Sequence, residues 1–296
     1  MKTYFFDILL LCIVNITFLA VGFTLNTIVI IGLYRSQLYK RLCYFLIMIL
    51  AVSDLLVAGF THPLLTVTAM NLYLNESINR NIKIALGAVK RQIILFSMTL
   101  LLTMTAERYI AIVHPFFHQK YVTKFRIVII FLALQTPLGI AHFIFRIQEE
   151  YNLYRKCAVT TIGVLFLAMY YLNIKIFYIA RKKIRCSIVP LGSFSQSLGS
   201  QPVVYKNQSE KILQRFSICL LVIICMSLCF YPHMIFRILS LELNKNWRNT
   251  TFHLWMDTLQ ALNSTFNCLV LLYNNSTLRR QGKVVVANWL GCKTFY

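Results

Sequence analysis

Residues 82–115 have the sequence IKIALGAVKRQIILFSMTLLLTMTAERYIAIVHP, and this stretch decides the fold. It carries no charged residue between Gln92 and Ala106, and most of its side chains are apolar. A helix needs about 20 residues, at a rise of about 1.5 Å per residue, to cross a hydrocarbon layer of about 30 Å. The stretch therefore predicts a membrane-spanning helix with charges near both ends.

The rest of the 296-residue chain has the same character. Apolar residues make up 58% of it and charged residues only 13%, whereas about a quarter of the residues in soluble domains are charged. Seven segments are long enough to span a membrane: residues 8–34, 42–70, 82–113, 127–145, 158–180, 212–239 and 252–273. They predict a single all-α domain over residues 1–296, a seven-transmembrane helix bundle.

The net charge of +21 predicts membrane topology and not nucleic-acid binding. A nucleic-acid surface gathers Lys and Arg on one face, whereas here they lie between apolar segments. With the N-terminus outside, seventeen of the 30 basic residues fall on the inner side and nine on the outer side. Short cytoplasmic loops retain basic residues, so we expect a multi-pass protein of the plasma membrane with an extracellular N-terminus.

Asp54 lies in the middle of the second span, where an ionisable side chain is costly unless it is paired or hydrated. Polar residues lie at a comparable depth in other spans: Asn26, Ser97, Asn263, Ser264 and Asn267. Such oxygen-bearing side chains predict a shared polar pocket, which would suit a small hard cation. The alternative is that they only hydrogen-bond one helix to another.

The sequence Glu107-Arg108-Tyr109 lies at the inner end of the third span. Adjacent opposite charges at a helix end can be a simple anchor, with the side chains extended to the membrane surface. The surrounding residues, ERYIAIVHP at 107–115, favour a more specific role.

The chain resembles the rhodopsin-like, or class A, G-protein-coupled receptors over nearly its whole length. Five motifs carry the resemblance, in the family's order: GFTLN at 22–26, LAVSD at 50–54, ERYIAIVHP at 107–115, CFYP at 229–232 and NSTFNCLVLLYNNSTLRR at 263–280. Within the family it is similar to amine-like and orphan chemosensory-type members of invertebrates. The resemblance implies a receptor that binds a small extracellular ligand in the helix bundle and activates a heterotrimeric G protein.

The resemblance also implies roles for individual residues. Arg108 would meet the G protein, Glu107 would restrain it, and Pro232 would kink the sixth helix, because proline leaves a backbone carbonyl unpaired. The implied switch for activation and G-protein coupling comprises Glu107, Arg108, Tyr109, Phe230, Pro232 and Asn267. The implied sodium pocket comprises Asn26, Asp54, Ser97, Asn263, Ser264 and Asn267, with Asp54 as the metal ligand and sodium as the only expected bound ion.

The chain departs from the family pattern at three of these places. Phe230 stands where a Trp is usual, Cys268 replaces the Pro of the seventh helix, and Leu271 occupies the usual Tyr position. These changes concern the switching mechanism and not the fold.

Lys90 and Arg91 predict the character of the ligand. Lys90 precedes Arg108 by 18 residues, or about 27 Å along a helix, which places it in the outer third of the bundle. Amine receptors of the family carry an Asp there, and a Lys would repel an amine, so we expect an acidic or neutral ligand. Asp257 in the seventh span is the expected counter-ion of Lys90, which gives a ligand pocket of Lys90, Arg91 and Asp257. Alternatively, the two bases extend to the outer membrane surface.

The segments between and after the spans carry weaker signals. Residues 187–208 predict a flexible cytoplasmic loop, because their Ser, Gly and Pro content cannot bury a core. The cytoplasmic tail, residues 274–296, predicts a short amphipathic eighth helix and a lipidation site at Cys292, although an ordinary thiol is an equal alternative. Asn75 and Asn249 begin N-x-Ser/Thr sequences that predict glycosylation.

Other classes of function fit the sequence less well. An enzyme is not predicted, because the histidines are scattered over different spans and form no catalytic motif. An opsin is excluded, because residues 252–273 contain no Lys to carry retinal. An ion channel or transporter remains an alternative, since buried polar residues also mark conduction paths. A decoy receptor that does not couple is another, because the seventh-helix motif is altered.

Overall fold

The computed structural model describes residues 2–74, 79–147, 151–188, 221, 224–239 and 251–291, and every regular element in these ranges is helical. We number the helices in chain order: α1 (Lys2–Arg35), α2 (Leu42–Leu56), α3 (His62–Leu74), α4 (Arg80–Val113), α5 (Pro115–Tyr121), α6 (Lys124–Ile147), α7 (Tyr151–Ile188), α8 (Ile224–Leu239), α9 (Thr251–Asn274) and α10 (Ser276–Trp289). The prediction of an all-α chain is confirmed for these residues.

Five stretches of the described residues are long and apolar enough to cross a membrane: Phe5–Arg35, Leu42–Leu74, Ile84–Val113, Lys124–Ala141 and Lys156–Ile179. They correspond to the first five predicted spans. The helix of the sixth predicted span, α8, is apolar but shorter within the described ranges. The helix of the seventh, α9, has 24 residues and is less apolar because it carries a row of buried polar side chains.

The second span is one long helix with an irregular turn. A π-helical segment, Val57–Thr61, joins α2 to α3. Pro63 explains this segment, because proline has no N–H to donate to the carbonyl four residues earlier and its ring clashes with that carbonyl. A wider turn relieves the clash. His62 directly follows the π-helical segment and is fully buried.

The helices pack into one bundle. In this packing α1 contacts α2, α3, α9 and α10, whereas α4 contacts α2, α6 and α7. Gly22 permits the close approach of α1 to α9, because a Cβ atom at this position would lie 2.6 Å from Thr265 Oγ1. Small residues at such crossings are typical of membrane helices, which associate through close packing and not through the hydrophobic effect.

The amphipathic helix predicted after the seventh span is confirmed as α10. Asn275 starts it, since the Asn275 side chain accepts hydrogen bonds from the backbone N–H groups of Thr277 and Leu278, at 3.1 and 3.2 Å. Leu278 and Val285 point into the bundle and are only 1% exposed. Because α10 also packs against α1, it belongs to the folded domain.

Several helices extend beyond the predicted apolar segments. The predictions followed hydrophobicity, whereas polar residues at the membrane surface continue a helix equally well. The clearest case is α7, which runs from Tyr151 to Ile188 where residues 158–180 were predicted. The predicted flexible loop at 187–208 is therefore helical at its first two positions, and its remainder lies outside the described residues.

Candidate functional site

The predicted ligand pocket contains an ion pair between α4 and α9. Lys90 Nζ donates to Asp257 Oδ2, and the two side chains are 14% and 5% exposed. The structure thus brings these two residues into contact, as expected from the sequence. Their role in ligand binding stays a prediction.

Two histidines also face the Asp257 carboxylate. His233 Nε2 on α8 lies 3.2 Å from Asp257 Oδ1, and His253 Nδ1, one turn earlier on α9, lies 3.6 Å from Oδ2. Arg237 Nε donates to the same His233 Nε2 at 3.0 Å. One imidazole nitrogen cannot accept from Arg237 and donate to Asp257 at once. His233 can therefore satisfy only one of these two neighbours in any one protonation state.

These residues border a cleft in the bundle. Its polar lining consists of Lys90, Arg91, Asp257 and Gln260, and its apolar lining of Ile94, Leu95, Met98, Ala158 and Ile162. Its cavity volume is about 20 Å³, little more than the roughly 10–15 Å³ that one water molecule needs, so its side chains would have to move apart to admit a ligand. A charged end with an apolar floor suits a small amphipathic ligand.

The predicted polar pocket is centred on Asp54, which is 1% exposed. Ser97 Oγ donates to Asp54 Oδ1 at 3.3 Å, and Asn267 Nδ2 donates to Oδ2 at 3.4 Å. Ser53, which the sequence reasoning missed, shares a 2.6 Å hydrogen bond with Ser97. The Asp54 carboxylate thus joins helices α2, α4 and α9 through two long hydrogen bonds.

The other predicted members of this pocket are buried but do not contact Asp54 through a described hydrogen bond. Asn26 donates to Gly22 O at 2.9 Å, and Ser264 donates to Ala261 O at 3.0 Å, so each side chain bonds to its own helix. Buried oxygen atoms without a hydrogen-bond partner among the described residues include Asn263 Oδ1 and Asn267 Oδ1. A carboxylate with nearby hydroxyl and amide oxygens fits a hard cation such as sodium.

A second buried polar network lies in the half of the bundle that holds the cleft, and the sequence reasoning missed it. Asn15 on α1 donates to Thr258 Oγ1 on α9 at 3.0 Å, and Asn15 Oδ1 lies 2.8 Å from His62 Nδ1 on α3. The three side chains are at most 1% exposed. This network ties three helices together beside Asp257, the neighbour of Thr258 in the sequence.

At the predicted cytoplasmic end, Glu107 is held by a residue outside its own helix. His118 Nε2 on α5 lies 2.9 Å from Glu107 Oε1. The Glu107 carboxylate is nearly buried, and its Oε2 lies 3.5 Å from Arg108 Nε, which is too long for a strong hydrogen bond. The guanidinium Nη2 of Arg108 contacts Cys43 Sγ on α2. Glu107 therefore has its shorter contact with His118 and its longer one with Arg108.

The remaining predicted switch residues lie in different surroundings. Phe230 is 1% exposed and packs edge-on against Phe166 of α7, with ring centroids 5.7 Å apart. Pro232 lies inside α8, which is helical on both sides of it. Tyr109 is half-buried at the end of α4. The predicted glycosylation and lipidation sites, at Asn75, Asn249 and Cys292, lie outside the described residues.

Three of the functional candidates that the sequence reasoning missed, His233, Arg237 and His253, share one signal. His233 and Arg237 are four residues apart on α8, as are His253 and Asp257 on α9, so each pair shares a helix face. Polar residues at this spacing in membrane helices point to a common polar interior. For His118 no such signal existed, because its contact with Glu107 depends on the conformation of the loop that becomes α5.

Comparisons with known proteins agree with this arrangement. The model of the seven-transmembrane receptors of the rhodopsin family matches residues 25–270. Melanocortin receptor 4 of Danio rerio is 23% identical over 274 residues, which cover 90% of this chain and 80% of that receptor. The amine-like or chemosensory subgroup expected from the sequence stays a prediction. The chain is a multi-pass membrane protein and belongs to the rhodopsin family of seven-transmembrane receptors.

Proposed function

We propose that this receptor lies in the plasma membrane with its N-terminus outside, binds a small acidic ligand in the cleft between α4 and α9, and activates a heterotrimeric G protein. The observation that carries the proposal is the ion pair of Lys90 and Asp257 at the polar end of that cleft. A carboxylate ligand could replace Asp257 as the partner of Lys90, and Asp257 would keep its contacts with His233 and His253.

The charges around the cleft favour an anion. Lys90 and Arg91 line it, and Arg237 lies behind them in contact with His233. Among the described residues that line the cleft, Asp257 is the single acidic one. An ammonium ligand would add a further positive charge to this group, which is unfavourable at low dielectric. The apolar floor formed by Met98 and Ile162 would accommodate the hydrocarbon part of an organic acid.

The effect of ligand binding can be transmitted to α8 through the same residues. If a ligand carboxylate displaces Asp257 from Lys90, then Asp257 loses its cation, and a hydrogen bond from His233 of α8 to Asp257 Oδ1 would become more favourable. His233 would have to release Arg237 to make that bond, because its Nε2 serves one neighbour at a time. Pro232 precedes His233, so the change occurs where α8 lacks a backbone hydrogen bond.

Coupling is proposed at the opposite end of α4. Arg108 is the residue expected to meet the G protein, and it lies between Glu107 and Cys43. Its side chain is 27% exposed, so a partner entering from the cytoplasm could reach it. Glu107 would restrain Arg108 in the inactive receptor, and its shorter contact with His118 weakens that restraint.

Sodium is the proposed resident ion of the polar pocket. Asp54 would supply the carboxylate, with Ser97 and the amide oxygens of Asn263 and Asn267 as further ligands. When bound, the ion supplies the positive charge that a buried carboxylate needs in this environment.

The test is nucleotide exchange on purified or co-expressed G proteins with a panel of small carboxylates matched to amines of the same carbon skeleton. We expect activation by carboxylates and not by amines, loss of the response in Lys90→Gln, and loss of all coupling in Arg108→Ala. Amine-selective activation would reject the acidic ligand. Full coupling by Arg108→Ala would reject the proposed coupling site.

A decoy receptor that binds a ligand without coupling is the second candidate. Leu271 occupies the position where the family carries a Tyr, and it is 8% exposed and packed in the apolar core, where it offers no hydroxyl group to a polar pocket. Specific ligand binding without nucleotide exchange on any G protein tested would favour this candidate. Restoration of exchange by Leu271→Tyr would then identify the cause.

A further inference from the structure

The network of Asn15, His62 and Thr258 has a single arrangement of donors and acceptors. Asn15 Nδ2 donates to two partners, Leu11 O at 2.9 Å and Thr258 Oγ1 at 3.0 Å, and an amide nitrogen has only two hydrogens. Rotating the amide by half a turn would bring its oxygen against the Leu11 carbonyl, which cannot donate. Asn15 Oδ1 is therefore the acceptor for His62, and the His62 ring donates through Nδ1 at 2.8 Å.

The other ring nitrogen of His62 makes no competing bond. His62 is fully buried, and its Nε2 has no hydrogen-bond partner among the described residues. The bond to Asn15 therefore places the ring proton on Nδ1, because a neutral imidazole has one N–H. Asn15 is thus held by Leu11 of its own helix and by His62 of α3, and it presents its second N–H to Thr258.

These bonds set the rotation of α9 about its own axis. Thr258 directly follows Asp257, so the two side chains leave the helix about 100° apart. Thr258 faces Asn15 of α1, whereas Asp257 faces α4 and α8 through its contacts with Lys90 and His233. Because side-chain ends lie about 5–6 Å from a helix axis, a rotation of about 20° would move the Asp257 carboxylate by about 2 Å. Such a shift would take it beyond hydrogen-bonding distance of Lys90.

A second contact holds the same face of α9 against α1. Thr265 lies seven residues after Thr258, or about two turns, so the two threonines share a helix face. Thr265 packs so closely against Gly22 that a Cβ atom at Gly22 would lie 2.6 Å from Thr265 Oγ1. The helix α9 is therefore attached to α1 at two levels, by a hydrogen bond at Thr258 and by close packing at Thr265.

The apolar side chains that accompany the network are not those of the cleft. α1, the second span and α9 share one cluster of buried apolar side chains, comprising Ile8, Leu11, Cys12, Val57, Leu65, Ala69, Leu254 and Ala261. None of them is among the described residues that line the cleft. Four residues of the apolar floor belong to a different cluster: Ile94, Leu95, Met98 and Ile162. Side chains of the cleft can thus move apart for a ligand without repacking the cluster that holds α9.

We infer that Asn15, His62 and Thr258 are positioning residues of the ligand site: they fix the rotation of α9 that holds Asp257 opposite Lys90. The inference rests on the proposed function, and it adds residues that lie outside the cleft to the ligand site. It divides the outer half of the bundle into a fixed part, α1, α3 and α9, and a part that moves when a ligand binds, α4 and α8.

The first test needs no ligand. In thermal unfolding of the purified full-length receptor, the coupling between Lys90→Met and Asp257→Asn is measured in wild type and with Thr258→Val, which keeps the shape of Thr258 but removes the hydroxyl group. We expect about half of the coupling or more to be lost with Thr258→Val. Thr258→Ser, which keeps the hydroxyl group, should preserve it. Asn173→Ala is the matched control and should also preserve it, because Asn173 is equally buried but bonds within its own helix.

The second test separates binding from response. With the activating carboxylate, we expect Thr258→Val to lower the concentration for half-maximal nucleotide exchange by about threefold to tenfold, because a displaced Asp257 competes less for Lys90. The maximal exchange should fall, because the displaced carboxylate no longer reaches His233. A variant that only destabilised the receptor would lower the maximum and leave the half-maximal concentration unchanged, and this result would reject the positioning role.

The donor assignment has its own measurement. In nitrogen NMR of receptor with labelled histidine, the signal lost in His62→Gln should be that of a ring with its proton on Nδ1. A proton on Nε2 would overturn the arrangement on which the inference rests.

Failure of the inference and failure of the proposed function can be told apart. Full coupling between Lys90→Met and Asp257→Asn in the presence of Thr258→Val would reject the positioning role, as would an equal loss with Thr258→Ser or Asn173→Ala. If no carboxylate activates the receptor, the proposed ligand is wrong, and the unfolding comparison still decides whether the network positions Asp257.

Discussion

The imidazole of His118 lies 2.9 Å from the carboxylate of Glu107, measured from Nε2 to Oε1, and so ties α5 to the end of α4. Glu107 is 5% exposed, and an unsatisfied buried carboxylate costs about 1–3 kcal/mol or more. The contact therefore stabilises the loop between the third and fourth spans and takes up an oxygen that Arg108 would otherwise attract.

For this reason we expect His118→Ala to lower the free energy of unfolding of the purified receptor by about 1–3 kcal/mol. We also expect it to lower basal nucleotide exchange, because Glu107 then binds Arg108 more tightly. His118→Gln should retain most of both properties, since its amide can donate from a position close to Nε2. His114→Ala, in the same loop and exposed, is the control. Identical behaviour of the Ala and Gln variants would contradict this account.

The ion pair of Lys90 and Asp257 predicts strong coupling between two substitutions. Removing one partner leaves a buried charge, which costs about 3–5 kcal/mol, so Lys90→Met and Asp257→Asn should each destabilise the receptor in thermal unfolding. The double variant should be less destabilised than the sum of the two. Asp7→Asn, an exposed Asp on α1, should have no effect, and additive effects of the pair would show that the contact contributes nothing.

Asp54 predicts a dependence on sodium. We expect the melting temperature of the wild-type receptor to be higher in sodium chloride than in choline chloride at equal ionic strength, because a cation compensates the buried carboxylate. Asp54→Asn should abolish the difference, while Asp257→Asn should preserve it. A wild-type receptor that is equally stable in both salts would rule out a resident sodium ion.

The network of Asn15, His62 and Thr258 predicts that replacing Asn15 destabilises the receptor more than replacing an equally buried Asn outside the network. Asn15→Ala removes two contacts between helices, at 3.0 and 2.8 Å, and we expect a loss of about 1–3 kcal/mol. Asn173→Ala is the matched control, because Asn173 is equally buried but donates to Met169 O on its own helix. If the two variants unfold at the same temperature, the network does not hold α1, α3 and α9 together.

The sequence was sufficient for those features that depend on composition along a single helix. Apolar length determined the spans, and spacing from Arg108 placed Lys90 at the level of Asp257, where the structure brings the two into contact. A helix of known rise fixes the depth of each residue, so residues at equal depth can be paired in advance.

The rest depended on geometry between elements. Asn26 has the depth of Asp54, but its amide bonds to its own helix, which depends on side-chain rotation that depth does not set. The position of His118 depended on a loop conformation, and the neighbours of Asp257 on α8 depended on the crossing of two helices. These features follow from packing, which hydrophobicity and spacing do not encode.

The π-helical segment Val57–Thr61 has a consequence for comparisons between receptors. It adds one residue to the second span relative to a regular α-helix, so alignment with a relative that lacks it requires a one-residue gap in this segment. Without the gap, each residue from His62 to Leu74 would be equated with a position about 100° away around the helix. His62, which faces Asn15, would then be matched to a residue that faces a different neighbour.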